Sequence, residues 1–531
     1  MIKKSFFSLF MLLLCFSNLY SFEDNMDNNY YKLCDISKKI TLLNSTAALL
    51  SWDQETYMPA NSVVLRGEQI ALLNILAYEE LTSDTFKNLL QSLIPLEKEG
   101  FLIDDLDAYQ KANLKEWKRE YLKAIELPKS FVKEYAITVT DSAHYWKKAK
   151  EKNDFSIFKP YLEKIVDLSR KKAHYLGYED HPYDALLDIY EPMMTTKKLD
   201  QIFDDLKKDI IPFIQQISEK TQIDTATFNQ SFSISKQFKI SHLLLKLMGI
   251  NKDNSRIDTS THPFTMGLSP NDVRLTTKIE KNNVFTNITS VLHEGGHTLY
   301  ELGLPSEYFG TPVGEAISLG IHESQSRFWE RIIGGSKSFS KLLFPILQKT
   351  FPKQLSDITY ENWHQAMNKV EPTFIRIESD EITYPLHIVI RYEIEKALME
   401  RSIEVDDVPK LWNDKMQQYL GITPPSDAKG CLQDIHWSSG LIGYFPTYAL
   451  GNLYSGQLFY FLTKQYPDWE ERIENNDLSF INKWLTEKIY KNGKLFYPEE
   501  LIQKATNEPL SAKYYIDYLK GKYKEIYDLE D

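Results

Sequence analysis

The feature that most restricts how this chain can fold is a long helical periodicity with little punctuation. From about Tyr30 to Asp209, apolar residues recur at intervals of three and four, as in Ile70, Leu73, Ile75 and Leu76, and again in Tyr109, Leu114, Trp117 and Tyr121. That spacing builds one face of an α-helix. Pro59, Pro95, Pro128 and Pro182 are the expected helix boundaries. The 531 residues contain only 21 glycines and 22 prolines, too few for a turn-rich β-sandwich or barrel. Neither an internal repeat nor a Ser/Gly-rich linker divides the chain, so one continuous helical body is expected over residues 22–531. The period changes near Asp258. Asp272-Val273-Arg274-Leu275-Thr276-Thr277-Lys278-Ile279 alternates with period two and reads as a strand, with His262-Pro263-Phe264 in a partner strand or in the turn leading to it. Helical spacing returns after Asn283. The expected fold class is therefore mostly α, with a small antiparallel β-sheet.

Composition excludes several function classes. At 43% hydrophobic and 26% charged, the chain can bury a large core and is not low-complexity disorder. The net charge of −12 has the wrong sign for an electrostatic phosphate binder, so nucleic acid is not an expected partner. Three cysteines cannot make a disulfide scaffold; Cys34 and Cys431 could form at most one bridge. Lys3 and Lys4 precede an apolar stretch from about Phe6 to Phe16, followed by Ser17-Asn18. This is the layout of a secretory signal peptide over residues 1–21, too short to span a bilayer. Export to a periplasm or the exterior is expected, with a cytoplasmic location if the leader does not function. No later stretch reads as transmembrane.

The chemistry is concentrated in Ser290-Val291-Leu292-His293-Glu294-Gly295-Gly296-His297-Thr298-Leu299-Tyr300, which contains H-E-x-x-H. On a helix, His293 and His297 lie on one face, one turn apart, and both can offer a nitrogen to a single ion. A zinc ion there would acidify a bound water and polarise a peptide carbonyl. Glu294, beside the first ligand, is the residue placed to take the water's proton. Ile288, Val291 and Leu292 supply the buried face, and Gly303 with Pro305 closes the helix. Gly295 and Gly296 each cost a helix interior about 1 kcal/mol relative to alanine, which implies a close backbone approach. The competing reading is two surface histidines on an amphipathic helix.

A catalytic zinc keeps three protein ligands and one open position. Gly314 to Ile332 has a helical pattern and carries Glu315, His322, Glu323 and Glu330. Spacing does not choose among them.

Taken together, these residues resemble the carboxypeptidase Taq family of zinc metallocarboxypeptidases. His262-Pro263-Phe264 is similar to the family's HPF element, and Asp272-Val273-Arg274-Leu275-Thr276 to its DxRxT. His322-Glu323-Ser324-Gln325 is similar to its HES-Q segment, whose glutamate is the third ligand; the resemblance thus selects Glu323 as the metal ligand. Gly430-Cys431-Leu432-Gln433-Asp434-Ile435-His436-Trp437 fits GxxQDxHW, and Ser51-Trp52-Asp53-Gln54 is also family-like. The anchors run from about residue 50 to 450. Two departures stand out: Ser379 where IRxxAD usually has alanine, and the leader peptide.

The resemblance implies a helical bundle of two lobes around a deep active-site cleft, with the sheet lining one wall. This is a gluzincin-type fold similar to neurolysin-like and angiotensin-converting-enzyme-like peptidases. It further implies one Zn2+ per chain with Co2+ as a possible substitute, peptide substrates, a homodimer, and release of single C-terminal residues with broad specificity. For the substrate's terminal carboxylate, Arg376 is the first candidate and Arg274 the second, since a guanidinium fork suits a carboxylate. The competing role of Arg376 is an i,i+4 bridge to Asp380. Alternation places Asp272, Arg274 and Thr276 on one strand face, whose edge could pair with an extended substrate. His436 and Tyr444 are the expected catalytic donors to the substrate or oxyanion, with Tyr448 as the substitute for Tyr444, Pro446 opening the next helix, and Asp434 orienting His436. The alternatives are a zinc endopeptidase or dipeptidase in the same cleft, and a catalytically silent peptide-binding protein.

Overall fold

The computed structural model describes residues 28–530, so the leader read at residues 1–21 lies outside the described residues. Helices dominate, as the periodicity predicts. Pro128 stands at the N-cap of the Lys129–Lys152 helix, and Pro182 is the first residue of Pro182–Leu187. Helix starts elsewhere are fixed by side-chain caps. Asp107 and Gln110 form a reciprocal capping box on Ala108–Glu126.

One large apolar core runs from Ala149 to Tyr527 and surrounds the H-E-x-x-H helix, contributing Ile288, Val291, Leu292 and Tyr300. A smaller core gathers Tyr30, Leu33, Phe86, Leu90, Leu114, Trp117 and Tyr121 near the N-terminal end. The long helix Asn28–Thr56 packs against both Val63–Leu81 and the sheet. Val63–Leu81 is helical as expected, but Val64, Leu65, Leu72, Ile75 and Leu76 on it are exposed.

The sheet has three strands: β1 (Ser255–Thr259), β2 (Thr265–Ser269) and β3 (Asp272–Thr277), in the order β1-β3-β2. It is mixed, which corrects the expectation of an antiparallel sheet. β2 pairs β3 antiparallel, with Thr265 opposite Leu275, while β1 pairs β3 parallel, with Ser255 opposite Val273. The strands run up, down, up, but β3 inserts between the first two, so it lies beside β1 in the same direction. Being central, β3 has no free edge for a substrate strand, and any such pairing would fall to β1 or β2. The His262-Pro263-Phe264 turn wraps the end of β3. Thr276 N donates to Phe264 O at 2.9 Å, and Phe264 N donates to Thr276 Oγ1 at 3.0 Å.

Cys34 and Cys431 are free thiols. Among the described residues, no helix is long and apolar enough to cross a membrane.

Candidate active site

The H-E-x-x-H helix spans Val284–Gly303, and the Asn283 side chain accepts from Phe285 N and Thr286 N at its start. Its two mid-helix glycines have different neighbours. A Cβ on Gly296 would lie 2.3 Å from the carbonyl oxygen of Gln325, whereas one on Gly295 would meet the thioether end of Met248 at 2.6 Å. Gly296 therefore lets the backbone of the next helix, Leu319–Arg327, come against the motif helix. Gly451 does the same from the other side: its Cβ would lie 2.6 Å from Cγ of Glu323.

That packing brings His293, His297 and Glu323 together. One ligand atom from each lies within 4.8 Å of the others, a grouping that could hold a metal ion. Glu323 Oε2 is 3.5 Å from His297 Nε2 and 3.9 Å from His293 Nε2. Two imidazole nitrogens and one carboxylate match the donor set of a catalytic zinc site. The surrounding charge suits a cation. Burial works against protonation of His293, yet Glu323, Glu330 and Glu294 outweigh it and push its pKa up to about 9. His297 moves the other way, down to about 4, through burial first and then His322 and His293.

Both imidazoles are held from behind. His293 Nδ1 donates to Glu330 Oε2 at 2.9 Å, and Glu330 is also paired with Arg327 and Arg331, each at 2.8 Å. His297 Nδ1 lies 2.6 Å from His322 Nδ1, and His322 Nε2 lies 2.7 Å from Glu301 Oε1. One proton assignment satisfies this chain: His322 Nε2–H donates to Glu301, and His297 Nδ1–H donates to His322. His297 then keeps an Nε2 lone pair facing Glu323, and His293, its Nδ1–H given to Glu330, presents one once its Nε2 proton is lost.

The four residues that spacing left open are thus separated by function. Glu323 faces the histidines, Glu330 and His322 hold them, and Glu315 turns away to Lys494 at 2.6 Å. The expected helix over Gly314 to Ile332 is not continuous. A 3-10 turn covers Pro312–Gly314, the α-helix begins only at Leu319, and Phe328–Ile333 adopts π geometry. The wide π turn is the segment that carries Glu330 back to His293.

Glu294 is buried, and that burial raises its pKa, with His293 and Thr265 acting against the rise. The Thr265 hydroxyl lies 2.7 Å from Glu294 Oε2. Thr265 escaped the sequence reading, although it directly follows His262-Pro263-Phe264.

Arg376 sits in a short 3-10 turn, Arg376–Glu378, not on a helix face, so an i,i+4 bridge to Asp380 does not form. Its Nε and Nη2 donate to Asp434 Oδ1 at 3.1 and 3.0 Å, and its Nη1 donates to Tyr384 OH at 3.1 Å. Arg391 takes the other oxygen of Asp434, with Nε at 2.7 Å. Two guanidinium groups hold the Asp434 carboxyl well below its usual range against the cost of burial. Asp434 thus braces two arginines instead of orienting His436, whose Nδ1 is 3.9 Å away.

His436 and Tyr444 are neighbours, with ring centroids 5.5 Å apart, but the hydrogen bond of His436 Nε2 is to Tyr448 OH, at 3.3 Å. Burial, with Arg376 and Arg391 assisting and Asp434 opposing, takes the His436 pKa down to about 4. The neutral imidazole carries one N–H to donate. Burial raises both phenols, and the charge of Glu323 raises them further. Pro446 opens the Pro446–Gln465 helix, as expected.

Arg274 is differently engaged. Its Nε and Nη2 donate to Asp272 at 3.0 and 2.9 Å, and its guanidinium lies 5.0 Å from the Trp52 ring. Arg256 stacks 4.9 Å from the same ring. Tyr57 donates to Asp258, which also takes Arg256. The Ser51-Trp52-Asp53-Gln54 segment thus fastens the N-terminal helix to the sheet through a tryptophan ring that two neighbouring arginines approach.

A helical body with two histidines one turn apart, a glutamate from the adjoining helix and a buried glutamate beside them defines a metallopeptidase. Residues 32–523 match the Carboxypeptidase Taq (M32) metallopeptidase family, and the chain belongs to that family. It is 41% identical to carboxypeptidase 1 of Bacillus subtilis, over 93% of this chain and 97% of that one. It is 37% identical to thermostable carboxypeptidase 1 of Pyrococcus furiosus, over 92% and 96%. The solved M32 carboxypeptidase of Deinococcus radiodurans superposes with a TM-score of 0.91 at 33% identity, covering 94% of this chain and all of that one. Trypanosoma cruzi metallocarboxypeptidase 1 gives 0.89 at 35%, over 93% and 99%. The chain is accordingly a metallocarboxypeptidase, a hydrolase that removes C-terminal residues from peptides.

Proposed function

We propose that the ion is zinc, held by His293, His297 and Glu323, and that the chain removes single residues with broad specificity. The grouping of those three side chains around one point carries this reading. When bound, the ion supplies a Lewis acid for the scissile carbonyl and acidifies an attacking water. Glu294, buried and raised, takes the proton from that water and passes it to the leaving amine. His436 and Tyr444 donate to the substrate carbonyl and its developing oxyanion, and Tyr448 supports His436. Arg376 receives the terminal carboxylate; Asp434 and Tyr384 occupy one N–H on each of its three nitrogens, which leaves one N–H on each Nη. Arg274 serves the substrate side less directly, by holding Trp52.

Glu294→Gln tests the assignment. The variant retains about one zinc per chain and loses turnover; unchanged release of amino acids from a peptide would defeat it. A peptide blocked as its C-terminal amide separates the exopeptidase from an endopeptidase, because only the latter cuts it. Cobalt is expected to restore activity to chelated enzyme.

Residues from 22 onward act as one catalytic unit. Two copies pair, supported by the exposed apolar side chains of Val63–Leu81; sedimentation of wild type against Leu72→Glu measures this. The Lys3-Lys4 and Phe6–Phe16 leader directs export, and the N-terminal sequence of protein recovered outside the cytoplasm tests that.

A further inference from the structure

Glu395 lies on the Tyr384–Glu400 helix and is fully buried. Among the described residues no cation pairs with it. Arg391, one turn earlier, is committed to Asp434. Three donors meet the carboxylate instead. Trp437 Nε1 donates to Oε1 at 2.8 Å, Gly443 N to Oε2 at 3.0 Å, and Tyr183 OH to Oε2 at 2.7 Å. A carboxylate buried without an ion-pair partner is costly, and burial here pushes its pKa up to about 7, against its three hydrogen bonds and the charge of Arg391. Packing alone would be served more cheaply by an apolar side chain.

The identity of the tethered residues explains its presence. Trp437 directly follows His436, and Gly443 directly precedes Tyr444. One carboxylate therefore grips the irregular segment at the two positions flanking its donor residues. Gly443 fits that role. Its φ is +95°, and a Cβ there would lie 2.9 Å from the backbone of Leu186. The segment is steadied further out by Tyr135 OH donating to Gly440 O at 2.6 Å and Trp146 Nε1 donating to Leu432 O at 3.0 Å. Among the described residues, only Glu395 hydrogen-bonds at both ends of the His436-to-Tyr444 stretch.

We propose that Glu395 is a positioning residue for the His436–Tyr444 donor pair, fixing their separation so that both address one substrate carbonyl. This rests on the reading of His436 and Tyr444 as donors. Because those donors are needed most as charge develops on the oxygen, losing their geometry lowers kcat while KM changes little.

Glu395→Gln is the isosteric probe. Trp437 Nε1–H and Gly443 N–H can only donate, so one of them must face the new amide NH2, in either orientation of the side chain. With the amide oxygen turned to Gly443 and Tyr183, the conflict falls on Trp437, and Trp437→Phe removes it. The expected results with zinc-loaded enzyme are a loss of about 30-fold in kcat for E395Q at KM within threefold. W437F alone falls about fivefold, and E395Q/W437F recovers to near the W437F level, all with unchanged metal content. E395Q keeping kcat within threefold of wild type overturns the proposal, as does a double variant no better than E395Q. Should E395Q not fold, W437F decides alone: a loss in kcat below threefold overturns it. His436→Gln and Tyr444→Phe isolate the underlying reading. If these keep full kcat while E395Q loses it, the donor assignment has failed; if they lose kcat while E395Q does not, the positioning role has failed.

Discussion

Thr265 on β2 places its hydroxyl 2.7 Å from Oε2 of Glu294 and 3.0 Å from that residue's carbonyl oxygen. One side chain thus joins the sheet to the carboxylate of H-E-x-x-H and limits which way that carboxylate can turn. Removing the hydroxyl while keeping the shape leaves Glu294 free to rotate. A hydrogen bond to a charged group is worth about 1.5–3 kcal/mol, and Thr265→Val is expected to lower kcat about tenfold with metal content unchanged. Thr265→Ser should retain most of the rate. Equal kcat in Val and wild type would remove Thr265 from the machinery.

The chain from His297 through His322 to Glu301 reaches from the proposed ligand to a partly exposed carboxylate. Glu301→Gln keeps the size but weakens the acceptor that fixes the His322 proton, and so the His297 tautomer. Zinc affinity is expected to fall about tenfold, within the range usual for partners behind a metal ligand. Competition with a chromophoric chelator measures it. Glu315→Gln, on a glutamate paired with Lys494 away from the ligands, is the control and should leave affinity unchanged.

Local chemistry was legible where one element carries it. His293 and His297 share a helix, so i,i+4 spacing alone aligns them, and the alternation of Asp272 to Thr277 announces β3. Where two elements meet, spacing was silent. Four acidic or imidazole residues downstream looked equivalent until packing through Gly296 turned Glu323 inward. The parallel β1–β3 pairing depends on β3 inserting between earlier strands, an order that no single strand encodes. The competing reading of Arg376, an i,i+4 bridge to Asp380, fails because Arg376 sits in a 3-10 turn and its partner, Asp434, is 58 residues further on. Glu191 and Glu395 gave no signal at all. A carboxylate inside an apolar pattern looks like a solvated residue until its donors arrive from elsewhere.

Glu191 permits a test by pH. It is fully buried and accepts from Gly320 N at 2.9 Å and Tyr454 OH at 2.8 Å, at the start of the helix that carries Glu323. Burial raises its pKa to about 7, against the lowering pull of its hydrogen bonds with Tyr454, Ser318 and Gly320. A carboxyl whose native pKa exceeds its unfolded value stabilises most below the unfolded value, near pH 4.5, and loses that contribution as pH rises through 7. The swing is on the order of 3 kcal/mol. In Glu191→Gln the side chain stays neutral. The stability gap between wild type and variant should therefore shrink by that order from pH 4.5 to 8, read by denaturant unfolding. A gap constant across this range would exclude the shifted carboxyl.

Gly295 and Gly296 adjoin in sequence yet should respond in opposite ways to alanine. A Cβ on Gly296 meets a backbone carbonyl 2.3 Å away, and neither the motif helix nor Leu319–Arg327 can retreat without displacing Glu323. A Cβ on Gly295 meets only the end of Met248, a flexible thioether that can change rotamer. Alanine also returns about 1 kcal/mol of helix propensity at either site. Gly296→Ala is expected to lose about 3 kcal/mol of stability by overpacking, together with zinc affinity, because the helices separate where the ligands converge. Gly295→Ala should fall within about 1 kcal/mol of wild type, the propensity gain offsetting the Met248 shift. Thermal unfolding with metal titration of the two variants checks both statements. Equal destabilisation would mean that the helix contact is not what holds Glu323 against the two histidines.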